Sequence, residues 1–269
     1  MGILKSLIYG EAPGEVEQNF SDYTETFGKK PALITCDMNF INLLPSPIYN
    51  CCVKVQMDVF ADPEKPTLIS ESEASHLANI RSILSEHIGG RFVGQGIIGA
   101  TSTAFLLFYI PERQSRICKK MLTETFTGSF RHVETDIVYD PEGLQYKKYL
   151  YPNALQKKKI SNMKMLRSLK GYGDDGTQPR PVKFNLVFQN KKMALSCYSE
   201  SMEKGFVYRD LVEEEPPEGA VLPRHRLVIE KTIPFDINLL MLVDDYLLKL
   251  AEKYSGEYRS LETDVIEIK

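Results

Sequence analysis

From Cys51 to Phe60 apolar and polar residues alternate, with Val53, Val55, Met57 and Val59 on one side and Lys54, Gln56 and Asp58 on the other. A period of two is that of a strand with one buried face. The period then lengthens. Leu77, Ile80, Leu84 and Ile88 recur at helical spacing, behind a Ser70-Glu71-Ser72-Glu73 capping box and ahead of Gly89-Gly90, which predicts an amphipathic helix. Arg91 to Ala100 and Thr103 to Ile110 are β-rich, Pro111 opens a second helix carrying Ile117, Met121 and Leu122, and Phe130 to Tyr139 reads as a closing strand.

The second half repeats the order. Val182, Phe184, Leu186 and Phe188 alternate with Lys183, Asn185 and Val187, a helix follows from Lys191 to Lys204, and Gly205 ends it. Phe206 to Val212 and Arg224 to Ile233 are strands across an acidic, proline-containing loop. Asp236 can cap a last helix whose Leu239, Val243, Tyr246 and Leu250 face a core, while Leu240, Leu247 and Leu248 widen the apolar arc enough for a domain or dimer interface. Strand, helix, hairpin, helix, strand is the βαββαβ order of ferredoxin-like folds, in which both helices cover one face of an antiparallel sheet. The fold class expected is therefore α+β, as two tandem ferredoxin-like domains.

An internal repeat, read as a duplicated small domain, supports that expectation. Gly128 to Tyr139 resembles Gly256 to Glu267, with the glycine, an arginine and a Glu-Thr-Asp triplet coinciding at a period of 128. The boundaries follow: an extension over 1–47 with an added strand at Pro31 to Asp37, a first domain over 48–150, a connector over 151–170 and a second domain over 171–269.

The chain has 269 residues, 43% of them hydrophobic, enough for a full core in each half. Five cysteines, odd in number and set in apolar runs, read as reduced thiols and a cytoplasmic protein. Met1 to Tyr9 is too short in apolar residues for a signal peptide or membrane span, and Met1-Gly2-Ile3-Leu4-Lys5-Ser6 is read as a chance match to an acylation pattern. The net charge of -3 excludes a strongly basic nucleic-acid binder as a whole, although eight basic residues and no acid lie from Lys147 to Lys170.

Catalytic signatures fail one by one. Gly94-Gln95-Gly96-Ile97-Ile98-Gly99 has the glycine spacing of a dinucleotide turn, but it is preceded by a helix and followed by a β-rich run, so a bulged strand is expected instead. Gly28-Lys29-Lys30 is a surface turn. The four histidines are scattered, adjacent Cys51 and Cys52 point to opposite faces, and His132 becomes Ser260 in the repeat. What remains is acidic. Glu134 and Asp136 share one strand face, as do Glu262 and Asp264, and Asp174 and Asp175 sit between glycines. These carboxylates form a partner-binding stripe or a cation site, or a solvated surface that blocks strand addition. Lys157, Lys158, Lys159 and Lys164 are the candidate RNA or phosphate contacts.

From Gly171 onward the chain resembles the regulator of ribonuclease E activity B family, through Gly173-Asp174-Asp175, the Val182 to Phe188 strand, the helix ending in Gly205-Phe206, and Gly256-Glu257-Tyr258-Arg259-Ser260-Leu261-Glu262. It departs at Arg259, Ser260 and Leu261, where that family has aspartate, glycine and tryptophan. Arg91 to Gly96 leading into Phe105 to Tyr109 is similar to a bacterial domain family of unknown function often fused ahead of it. The resemblance implies a non-catalytic regulator without a cofactor, because members bind the scaffold region of ribonuclease E and restrain RNA decay. Its acidic second domain would meet a basic segment of a protein partner. Three other classes stand beside it: an RNA binder using the basic connector, an enzyme using a metal held by the strand carboxylates, and a small-molecule sensor binding between the two domains.

Overall fold

The computed structural model describes residues 16–27, 30–60, 69–99, 103–216 and 223–266. The Met1 to Ser6 pattern and residues Gly28 and Lys29 of the expected surface turn lie outside them. The chain divides into two compact units, Met1–Tyr151 and Pro152–Lys269.

In the first unit, β1 (Phe20–Phe27) and β2 (Lys30–Asp37) form a hairpin ahead of β3 (Cys51–Asp58), α1 (Glu71–Ile88), β4 (Arg91–Ile98), β5 (Thr103–Ile110), α2 (Ser115–Phe126), β6 (Val133–Tyr139) and the short α3 (Leu144–Tyr149). All six strands make one antiparallel sheet in the order β1-β2-β4-β5-β3-β6. The extension thus adds two strands, where the sequence pattern indicated one.

Val53, Val55, Met57, Leu106 and Phe108 on one sheet face pack with Leu77, Leu84 and Ile88 of α1 and Cys118 and Leu122 of α2. Ser70 caps α1 by accepting from the Glu73 N–H, one half of the expected capping box, while the Glu73 carboxylate accepts from Arg131. Ile117, expected on the core side of α2, is exposed, because the buried stripe runs through Cys118 and Leu122 instead. The opposite sheet face is also covered: Tyr109, Phe40 and Tyr146 pack ring against ring. Asp140 holds this second layer by accepting from the Tyr109 hydroxyl at 2.5 Å and from the Leu144 and Gln145 N–H groups at the start of α3. β5, buried from both sides, therefore lacks polar alternation.

The glycine-rich run is the expected bulged strand. β4 shifts register between Phe92 and Gly94, and Gly94 has φ +146° with its α-carbon so close to the neighbouring strand that a Cβ would stand 2.2 Å from the Thr35 carbonyl oxygen.

The second unit begins with α4 (Ala154–Gly171) and continues through β7 (Arg180–Phe188), α5 (Lys191–Met202), β8 (Val207–Glu214), β9 (Arg224–Ile233), α6 (Ile237–Lys253) and β10 (Gly256–Thr263). Its antiparallel sheet has the order β10-β7-β9-β8, the closing strand lying beside the first, as β6 lies beside β3 in the other unit. Val182, Phe184, Leu186 and Phe188 pack beneath Ala194 and Cys197 of α5 and Leu240, Leu247 and Leu250 of α6. Asp236 caps α6 as predicted, accepting from the Leu239 N–H at 2.9 Å.

Two expectations change here. The stretch expected as a basic connector is for most of its length α4, which has its own Asn153–Gln156 capping box and buries Ile160, Asn162 and Leu169 while packing along α6. Of the wider apolar arc on α6, Leu240 and Leu247 lie in the sheet core and Leu248 is partly buried against it. The 128-residue repeat is also out of structural register. Val133, the first residue of β6, pairs with Met57 near the end of β3, and its counterpart pairing with Phe188 at the end of β7 is Gly256, so the Glu-Thr-Asp triplets fall near opposite ends of their strands. Phe130 and Arg131, expected to begin that strand, form a bend, and the strand starts at Val133.

Candidate functional site

The carboxylates singled out in the sequence separate into different environments. Glu134 and Asp136 are exposed on one face of the edge strand β6, opposite Gln56 and Lys54. Glu134 meets the His132 ring at 2.9 Å, a contact that raises the imidazole above its ordinary titration range.

In the second unit, Asp174 is fully buried. Its carboxylate receives both terminal nitrogens of Arg180 and the N–H groups of Gly176 and Ile266, and the Arg180 guanidinium chiefly holds its carboxyl well below the usual range. Asp174 is therefore a structural anchor with no oxygen directed at solvent, which corrects its reading as a partner contact. Arg180 also donates to the Asp264 carbonyl oxygen, so the Asp174 loop and the end of β10 are tied together. The exposed acids Asp175 and Asp264 share that corner, and Glu262 is exposed at the end of β10 leading into it.

The sheet face away from the helices is polar, as its alternation indicates, but it is not a row of separately solvated side chains. Arg226 pairs with Glu214 at 2.7 Å and donates to the Asn185 amide oxygen. Asn185 in turn donates to Glu262 at 2.9 Å, and Arg259 joins Glu214 at 3.0 Å. Arg209 holds Glu230 at 2.5 Å. This network spans all four strands and buries Asn185, Val228 and Glu230 beneath the longer side chains. None of its members is aromatic, so it offers no platform for stacking bases.

The four candidate lysines do not make one stripe. Successive helix residues turn by about 100°, so Lys157 and Lys164 share a side of α4, while Lys158 points to β10 and Lys159 another way. Lys158 donates to the Arg259 carbonyl oxygen at 2.7 Å and lies 3.8 Å from the centre of the Tyr258 ring. Burial lowers its pKa, against the opposing pull of Asp244 and Glu257.

Below it lies a group that no sequence pattern marked. Asp244 on α6 is fully buried and accepts from the Tyr258 hydroxyl at 2.7 Å and from the Asn162 amide at 2.6 Å, joining β10, α6 and α4. Burial raises the Asp244 carboxyl, and burial also raises the Tyr258 hydroxyl, so the bond between them keeps its proton on tyrosine. The three residues are far apart in sequence, and Asp244 sits in an apolar helix stripe, which is why periodicity passed over them.

Among the described residues no three His, Cys, Asp or Glu side chains come together to hold a metal, and no helix is long and apolar enough to cross a membrane. All five cysteines are buried and unpaired by disulfides, and burial pushes Cys118 up to about 11 and Cys197 to about 12.

Residues 159–263 match the family Regulator of ribonuclease activity B. The match begins inside α4 and ends at Thr263, the last residue of β10, so the matched region takes in most of the helix that sequence reading took for a connector. Residues 18–151 match a family of unknown function, DUF695. A comparison with curated proteins finds no match. Similar solved structures include the "Crystal Structure of an Unknown Protein from Galdieria sulphuraria", 10% identical with a TM-score of 0.25, covering 80% of this chain and 99% of that chain. Another is the "Crystal structure of putative glycine cleavage system transcriptional repressor", also 10% identical with a TM-score of 0.25, covering 81% and 98%.

Proposed function

We propose that this chain is a non-catalytic, cytoplasmic, protein-binding regulator of a ribonuclease, built from two tandem ferredoxin-like units, with the second unit making the regulatory contact. The observation that carries the reading is the regulator-family match over 159–263, which spans nearly all of that unit's helices and strands. Its buried polar groups are spent on holding elements together: Asp174 on Arg180, Asp244 on Tyr258 and Asn162. The partner contact is assigned to the exposed acids at the β10 corner, Asp175, Glu262 and Asp264, which favour a basic segment of the ribonuclease. Glu134 and Asp136 give the first unit a second acidic contact.

The test is a cleavage assay with ribonuclease E, a labelled RNA and increasing amounts of the purified chain. The cleavage rate falls in proportion to the ratio of chain to enzyme, and the fall is relieved by salt and by Asp175→Lys with Asp264→Lys. A rate that does not change at any ratio overturns the proposal. A rate that falls only as the chain saturates the RNA assigns the effect to RNA binding through the α4 lysines, and overturns it equally.

A further inference from the structure

Among the described residues β10 stands at the edge of its sheet, with β7 as its one partner. In an antiparallel sheet, alternate N–H and C=O groups of such a strand point away from the sheet and remain available to another chain. Here the free edge does not look into open solvent. It forms one wall of a groove of about 680 Å³, whose second wall is the N-terminal half of α4 and whose floor includes Leu248 and Leu261. That volume is within the range of sites that enclose a ligand.

Six consecutive residues, Gly256 to Leu261, line the strand side, so the groove follows the backbone of β10 rather than a single side chain. The helix side presents Ala154, Lys157, Lys158 and Ser161. One edge carbonyl already shows what the strand can do with a donor: Arg259, at the bulge between Tyr258 and Ser260, accepts from Lys158 across the groove at 2.7 Å. The buried bonds from Asp244 to Asn162 and Tyr258 fix the distance between helix and strand, and the Lys158 side chain gives up its bond to Arg259 when a strand enters.

We infer that this slot takes an extended peptide segment of a protein partner, which adds to β10 as a fifth strand between the sheet edge and α4. Strand addition supplies backbone hydrogen bonds for affinity, and alternate side chains supply selectivity. One set of side chains turns toward Leu248 and Leu261 and is apolar. The helix wall carries Lys157 and Lys158, which select acidic residues for the other set; of the two acids in the lining, Glu257 faces Arg259 at 3.6 Å and Glu252 lies on α6. The segment is thus an alternating apolar and acidic strand, and its site is distinct from the acidic corner around Asp175 and Asp264. The inference rests on the protein-binding reading only in giving the peptide to a partner.

The experiment uses the full chain and a fluorescein-labelled peptide of eight residues, alternating valine and glutamate with blocked ends, followed by anisotropy. Two further peptides carry backbone N-methyl groups, on the odd residues in one and on the even residues in the other. Saturable binding is expected, with one methylated peptide weakened by at least about tenfold and the other little changed, since only one edge of the peptide faces β10. Lys157→Glu, a change on the exposed wall, weakens binding further. Absence of saturation up to millimolar peptide overturns the inference, as does equal binding of both methylated peptides. Tighter binding of an alternating valine and lysine peptide overturns it too. If cleavage control is found without peptide binding, the groove fails and the regulatory reading stands; peptide binding without cleavage control has the reverse meaning.

Discussion

Replacing Asp174 by asparagine tests the claim that this residue is an anchor rather than a recognition group. The change keeps size and shape but removes the charge that faces Arg180, whose side chain is 1% exposed against 0% for Asp174. Breaking a buried ion pair by removing one partner costs about 3–5 kcal/mol, because the remaining charge is left without a counter-charge. The second unit is of a size at which each kcal/mol moves the midpoint by about 4 °C, so its transition falls by about 12–20 °C. Calorimetry of the full chain reads this as one transition moving while the first unit's stays in place. Asp175→Asn, at the adjacent and exposed residue of the same loop, leaves both where they were. The pH dependence has a definite sign: the folded Asp174 carboxyl lies below its unfolded value, so the stability it contributes is present above about pH 4 and is lost as pH falls toward the folded value. The difference between wild type and Asp174→Asn therefore narrows in acid. An Asp174→Asn chain that melts like wild type at neutral pH refutes the reasoning.

Three further outcomes are expected. Tyr258→Phe leaves Asp244 with a buried oxygen lacking its donor, at a cost of about 1–3 kcal/mol read by urea unfolding. Gly94→Ala forces a Cβ toward the Thr35 carbonyl oxygen at a φ that disfavours side chains, and the first unit loses its cooperative melting transition. The His132 ring titrates above its ordinary midpoint of about 6.5 in an NMR titration, and Glu134→Gln returns it toward that value.

Most of the elements could be read from the chain because each is decided within a few residues. Alternation at Val53 to Val59 and Val182 to Phe188, the Ser70 and Asp236 caps, and the glycine stops fix where strands and helices lie, and the bulge in β4 follows from glycines placed between β-rich runs. The Glu134 and Asp136 face was legible for the same reason, since a strand alternates whatever it packs against.

What the chain left undecided depends on contacts between distant segments. The lysines of α4 suggested a solvated connector because their number hides Ile160, Asn162 and Leu169 on the buried side, and only the packing of α6 reveals that side. Asp174 and Asp175 are equivalent in sequence, yet one is sealed under Arg180 and the N–H of Ile266 while its neighbour faces water. Asp244, Tyr258 and Asn162 become one group only when α4, α6 and β10 meet, and the groove beside them exists because a helix overhangs a strand edge. Local periodicity records the energetic preference of a segment for water or for a core; which core, and which buried charge finds which partner, is fixed by the three-dimensional path of the backbone.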